Sequence, residues 1–252
     1  MLFAHTPANG FSCWYPVLPQ RPHGYHDVSF NDSREDIIPN RRGVRAPGPT
    51  PGNAGSIRLL GMTIHPIVVY GEPVLHRRAE PVAEFDSALH TLIDDMFETL
   101  AASKGVGLAA PQIGVGQQIF VYDADDEVAE VRRRGVFVNP VLVASKIEDV
   151  RPDPDTESEG CLSVPGLDFP IKRAHRVTVS GKDADGQPIS LTVEGWFARI
   201  MQHEFDHLQG TLYVDKLDKR WSKKWKRAQE ECGYDEPGIS WMPGTDPDPF
   251  GH

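Results

Sequence analysis

The stretch QHEFDHLQG, residues 202 to 210, constrains this chain more than any other part of it. The pattern leading into it fits a helix from about Trp196 to Gln209, stopped by Gly210, which can take the left-handed position after the last turn. On that helix His203 and His207, four residues apart, project from one face, and Glu204 sits about 100° round from them. Two imidazoles converging in this way can ligate one metal ion, with the acid beside the ion rather than on it.

A catalytic site of this kind needs a third protein ligand and an open position. A third histidine would stand at position 213 in the pattern H-E-x-x-H-x-x-G-x-x-H, where Gly210 is in register, but that position holds Tyr213. Glu230 and Glu231 lie downstream without a supporting motif. Cys161, in ESEGCLSVPG, is the better candidate. A thiolate binds borderline and soft divalent ions well, and Gly160, Ser163, Pro165 and Gly166 suit a loop that presents one side chain inward.

The remaining sequence sets the frame. The 252 residues leave room for one compact catalytic domain with tails. The chain has 26 basic against 36 acidic side chains, a formal net charge of -10, which argues against a surface built throughout to grip nucleic acid. Cys13, Cys161 and Cys232 are dispersed and odd in number, as suits a reducing compartment and a cytoplasmic protein. There is no apolar run of the roughly 20 residues a membrane span needs. The start MLFAHTPANGFSCW lacks a signal-peptide core, and Asp27, Asp32, Glu35 and Asp36 argue against a transit peptide.

Residues 1–61 hold eight prolines and seven glycines without sustained periodicity, and are expected to be a disordered extension or the product of a mistaken upstream start. Periodic sequence begins near Met62. Leu89, Leu92, Ile93, Met96, Phe97 and Leu100 mark one face of a helix capped by Asp86 or Ser87. Strand-like runs follow at 117–124 and 135–145, with a hairpin over 176–195 turning at DADGQP. A last helix runs from about Lys219 to Cys232, ending at Gly233. The expected fold is α+β, with antiparallel sheets packed around the central HEFDH helix. The domain spans 62–233, and residues 234–252 form a flexible acidic, proline-rich tail.

Three stretches stand together: GVGLAAPQIG at 105–114, EGCLSVPG at 159–166 and QHEFDHLQG at 202–210. In order, spacing and wording they resemble the three motifs of the bacterial peptide deformylases, actinobacterial members in particular, over most of residues 62–220. A rival for the first stretch is a dinucleotide loop, since Gly105, Gly107 and Ala110 fit G-x-G-x-x-A with Asp123 beyond. That loop needs a strand before and a helix after. Here a helix precedes, and Pro111, Gly114 and Gly116 oppose one following, so no dinucleotide site is expected.

The resemblance implies metal-assisted hydrolysis of the formyl group of formyl-methionyl nascent peptides. It implies one divalent ion per chain on Cys161, His203 and His207, with iron(II) native and zinc, nickel or cobalt as substitutes. It assigns Glu204 as general base and then acid, and makes the Gln112 side-chain amide and the Leu162 backbone N–H the donors to the substrate oxygen. Val106, Gly107, Gly160, Trp196 and Ile200 would contact the substrate. Val106, Trp196 and Ile200 would form an apolar slot for the methionine side chain. Arg199 falls near this face, its stem packed and its head expected to reach solvent. Asp168 stands where some family members carry an arginine near the bound peptide. Arg173 is expected to pair with Asp206 and brace the helix.

KRWSKKWKR, 219–227, places six basic residues around Trp221 and Trp225. It resembles the helix some deformylases dock on the ribosome, so a transient ribosome contact is expected. The competing function is a metal-binding protein of the same fold that has lost catalysis. The presence of Glu204, Gln112, Cys161 and Leu162 together favours the enzyme.

Overall fold

The structure, a computed structural model, describes residues 63–251. The extension expected over residues 1–61 lies outside the described residues. The first helix, α1 (Ser87–Ala102), starts where the Asp86 side chain accepts from the backbone N–H groups of Ala88 and Leu89, both at 3.0 Å. These bonds satisfy two of the donors a helix start leaves open. Leu89, Ile93, Met96 and Leu100 on its inner face are buried, with Leu92 and Phe97 half-buried beside them.

The strands are β1 (Ile67–Val68), β2 (Gly107–Ala109), β3 (Ile119–Asp126), β4 (Val131–Ala144), β5 (Ser158–Cys161), β6 (Val164–Pro170), β7 (Arg176–Lys182), β8 (Pro188–Glu194) and β9 (Ser240–Trp241). Strands β2-β3-β4-β7-β8 form one antiparallel sheet in that order; β5 pairs with β6, and β1 with β9. The β7–β8 hairpin turns where expected, Lys182 facing Pro188.

β4 begins four residues earlier than the sequence suggested. After Val131 come three arginines rather than a run of the β-branched residues that mark a strand. They are held across the ladder by acids: Arg132 and Arg134 on Asp123 and Arg133 on Asp126. Further along, β4 bulges at Asn139, whose φ is 52°, and the Asn139 side chain is tied to both backbone groups of Val82.

The second helix, α2 (Gly195–Leu208), packs against β2, β3, β7 and β8. Phe197, Ala198, Ile200, Met201 and Leu208 enter one apolar cluster with Phe120, Phe137, Val177 and Val179. Each fully buried large side chain there contributes roughly 1.5–3 kcal/mol relative to exposure. The other side of α2 carries Arg199, Gln202, His203, Glu204, Asp206 and His207, all buried as well. A polar face this deeply buried requires partners, and those partners are the site described below. The helix ends against Gly210 at φ +71°, where an added Cβ would lie 2.6 Å from the Arg77 carbonyl carbon.

α3 (Lys219–Cys232) runs over the expected residues and stops at Gly233, whose φ is 66°. The segment beyond was expected to be flexible, and over residues 234–251 the structure differs. Ile67 pairs with Trp241, Val69 N–H donates to Ile239 O, and Tyr234 and Trp241 are buried. Proline and acid content suggested mobility, but two aromatic side chains supply enough apolar area to dock the segment.

Candidate active site

Three motifs converge from separate elements. Cys161 ends β5, His203 and His207 lie on the inner face of α2, and the ligand atoms of all three are within 4.8 Å of one another. Cys161 Sγ is 3.3 Å from His207 Nε2, and the two imidazoles meet edge-on with centroids 5.1 Å apart. A soft thiol and two imidazoles converging in a buried pocket suit a borderline divalent ion. Among the described residues no other His, Cys, Asp and Glu group converges in this way. Glu230 and Glu231 are exposed, and Glu231 pairs with Arg227, so the downstream acids do not approach the histidines. Tyr213 stacks on the His203 ring and donates to Leu167 O at 3.0 Å.

Glu204 is 4% exposed, and its Oε2 is buried with no hydrogen-bond partner among the described residues. Burial pushes its carboxyl up to about 7, near the range useful for taking and returning a proton. The glycine of the first motif makes room for it: a Cβ on Gly107 would lie 2.7 Å from Glu204 Cδ. The unpartnered oxygen and the cradle left by Gly107 fit a site completed by a cation and its substrate.

Gln112 is 1% exposed, on the 3-10 turn Ala110–Ile113 that follows β2. Its Oε1 accepts from Ala109 N–H at 2.8 Å, which fixes the amide so that Nε2 points at Cys161 Sγ, 3.7 Å away. The Leu162 side chain is buried, and its carbonyl accepts from Trp241 Nε1 at 2.9 Å. Gly160 is buried in β5 opposite Asp168, which is exposed.

The expected apolar residues are distributed differently. Ile200 is 1% exposed within the cluster of Phe197 and Met201, and Val106 and Trp196 pack against that same cluster. Trp196 also lines a cleft of about 740 Å³ with Arg173 and Arg199, whereas Val106 lines a separate recess of about 400 Å³ with Gly105 and Phe97.

Glu159, the hub behind Cys161, His203 and His207, carried no motif of its own in the sequence. Its Oε2 accepts from His203 Nδ1 at 3.0 Å, and its carboxylate takes 2.8 Å bonds from Arg173 Nε, Arg173 Nη2 and Arg199 Nη1. Burial alone would raise the Glu159 carboxyl, but the Arg173 guanidinium and His203 hold it well below the usual carboxylate range. The two-residue spacing from Glu159 to Cys161 would have been a signal only with this stretch read as a strand, whereas its glycines, serine and proline read as a loop, and β5 shifts register between Gly160 and Cys161.

The Arg199 expectation needs correction. Its side chain is not in solvent but 8% exposed, with Nη1 bonded to Glu159 and to Ile171 O at 2.8 Å, because a buried carboxylate needs charged partners more than a guanidinium needs water. The Arg173–Asp206 pair forms at 2.5 Å, and Lys216 joins it on Asp206.

The two histidines are driven apart electrostatically. Burial works to lower His203, but Cys161 and Glu159 outweigh it and raise its pKa, while burial and the neighbouring His203 push His207 well below the usual imidazole range. A ligating imidazole must be neutral, so an ion binding here must displace the proton favoured on His203.

Residues 64–223 match the family model for polypeptide deformylase. The chain is 53% identical over 197 residues to a peptide deformylase of Mycolicibacterium paratuberculosis, covering 76% of this chain and all of that one. Its fold is similar to the crystal structure of peptide deformylase from Thermus thermophilus, with TM-score 0.56 and 42% identity, covering 67% of this chain and 94% of that one. A peptide deformylase from Legionella pneumophila gives TM-score 0.58 and 39% identity over 67% of this chain and 95% of its own. With that match spanning all three motifs and the fold that gathers them, the chain belongs to the polypeptide deformylase family.

Proposed function

We propose that the protein removes the N-formyl group from the N-terminal formyl-methionine of newly synthesised polypeptides, releasing formate. The observation that carries this reading is the gathering of Cys161, His203 and His207 beside Glu204, whose Oε2 has no hydrogen-bond partner among the described residues. That set would hold a metal cofactor beside a proton-transfer group. The inactive alternative has nothing in its favour, since none of these groups is missing or misdirected.

Cys161, His203 and His207 would hold the divalent ion, which when bound polarises the formyl carbonyl and acidifies a water. Glu204 takes the proton of the attacking water and passes it to the departing amine, acting as base and then as acid. Gln112 Nε2 and the Leu162 backbone N–H donate to the carbonyl oxygen as negative charge develops there. One such donor is worth about 3 kcal/mol of barrier. Gly107 and Gly160 keep the walls of the site free of side chains, and Val106, in the recess with Gly105 and Phe97, would supply apolar surface for the methionine, while Ile200 packs in the core and Trp196 lines the other cleft. Iron(II) is the native ion in this reading, and zinc, nickel or cobalt would be accepted by the same ligands.

The protein would act in the cytoplasm, where nascent chains emerge. No helix among the described residues is long and apolar enough to cross a membrane. The basic residues of α3 are exposed, while Trp225 is buried and Trp221 lies half-buried against Phe169. That leaves a cationic surface for a transient ribosome contact through Lys219–Arg227. Formate release from a formyl-methionyl tripeptide, measured beside a Glu204→Ala variant, tests the function.

A further inference from the structure

The hairpin β5–β6 carries Cys161 and Leu162, and four of its backbone carbonyls are held from outside it. Leu162 O accepts from Trp241 Nε1 at 2.9 Å, and Ser163 O from Tyr70 N–H at 2.9 Å. Pro165 O accepts from Tyr234 OH at 2.8 Å, and Leu167 O from Tyr213 OH at 3.0 Å. Two of these donors, Tyr234 and Trp241, come from the segment after α3, beyond the residues 64–223 that match the family model.

That segment is firmly placed. Gly233 turns it back, Tyr234 N–H donates to Gln229 O, and β9 pairs with β1. It then passes so close to Gly71 that a Cβ there would lie 2.6 Å from the Glu236 carbonyl carbon. Trp241 is 3% exposed and Tyr234 1% exposed, so both donors act in surroundings from which water is excluded, where a directed hydrogen bond constrains geometry strongly.

We propose that Trp241 and Tyr234 are positioning residues for catalysis: the C-terminal segment fixes the Leu162–Pro165 backbone and thereby aims the Leu162 N–H at the developing charge. The inference rests on the reading of Leu162 N–H as a donor to the substrate oxygen. A bond to the Leu162 carbonyl limits rotation of the backbone on one side of that residue, and the β5 ladder limits it on the other. A donor that must meet a charge formed only in the transition state loses its value with small errors of direction.

The test uses the full-length, metal-loaded protein. Trp241→Phe keeps an aromatic ring and the β9 pairing but removes the indole donor; Tyr234→Phe removes one hydroxyl. The expected result is a fall in kcat of about tenfold for Trp241→Phe, with KM, metal content and melting temperature near those of the parent. A structural role alone would move melting temperature and leave kcat per folded molecule unchanged. If Trp241→Phe does not fold, Tyr234→Phe decides by the same split, with an expected loss of severalfold.

Wild-type kcat in a folded Trp241→Phe, or in Tyr234→Phe where the first variant does not fold, overturns the proposal. Should the parent release no formate, the deformylase reading fails independently. The backbone arm then stands alone: in zinc-loaded protein, Trp241→Phe should shift the amide resonances of Leu162 and Ser163, and unshifted resonances overturn it.

Discussion

Glu159 Oε2 lies 3.0 Å from His203 Nδ1 and, held ionised by Arg173, can only accept there. His203 must therefore carry its proton on Nδ1 when neutral, which leaves the Nε2 lone pair for the ion. Removing that acceptor charge should loosen the metal. Glu159→Gln is expected to lower metal affinity about 10- to 100-fold, read by competition with a chelator of known affinity. Unchanged affinity would make Glu159 a structural anchor for its two arginines and nothing more.

Gly107 is expected to tolerate no side chain. A methyl group there would press on Glu204, with Cδ at 2.7 Å, and displace the carboxylate by a large part of an ångström. Gly107→Ala should lose about 100-fold in kcat while keeping its metal. Steady-state kinetics with metal analysis on the same sample checks this, and a kcat within a few fold of the parent would show that Glu204 has room to move.

The pair of Arg173 and Asp206 couples the β6–β7 connection to α2, and both residues are buried. Each alanine substitution alone should destabilise, but by less than the roughly 3–5 kcal/mol of a stranded buried charge, because Arg173 keeps Glu159 as a partner and Asp206 keeps Lys216. The double variant should lose less than the sum, by roughly 0.5–3 kcal/mol. Denaturant unfolding of the four proteins measures the coupling, and strict additivity would remove the pair from the account.

Asp126 provides a pH test away from the metal. Burial acts to raise its carboxyl, but the Arg133 guanidinium and the Ala129 N–H overcome it and hold the group below its usual range. A depressed folded-state pKa gives stability that is present above the unfolded value, about 4, and lost as pH falls through the folded one. Asp126→Asn should therefore be less stable than the parent at pH ~7, and the difference should shrink below pH ~4. Thermal melts across that range would contradict the assignment if the gap stayed constant.

Much of this architecture is legible in the sequence because its signals are local. The α2 and α3 boundaries follow from glycines that must take positive φ, and α1 follows from Asp86 and an apolar face of regular spacing. The convergence of His203 and His207 was legible because the two share a face by helix geometry alone. What escaped depends on pairings distant in sequence. Arg199 was expected in solvent because nothing near it in the chain announces Glu159, forty residues away, as its partner. The docking of residues 234–251 was masked by a composition that local rules assign to loops, although Tyr234 and Trp241 carry its packing into the core.

In the proposed mechanism Glu204 moves the proton in hydrolysis of a formyl amide beside an ion held by Cys161, His203 and His207. The most direct test is formate release from a formyl-methionyl tripeptide by anaerobically purified protein and by Glu204→Ala, with metal content determined on both. Release by the parent and near loss in the variant are expected at equal metal occupancy. Full occupancy with no release from either protein would contradict that mechanism.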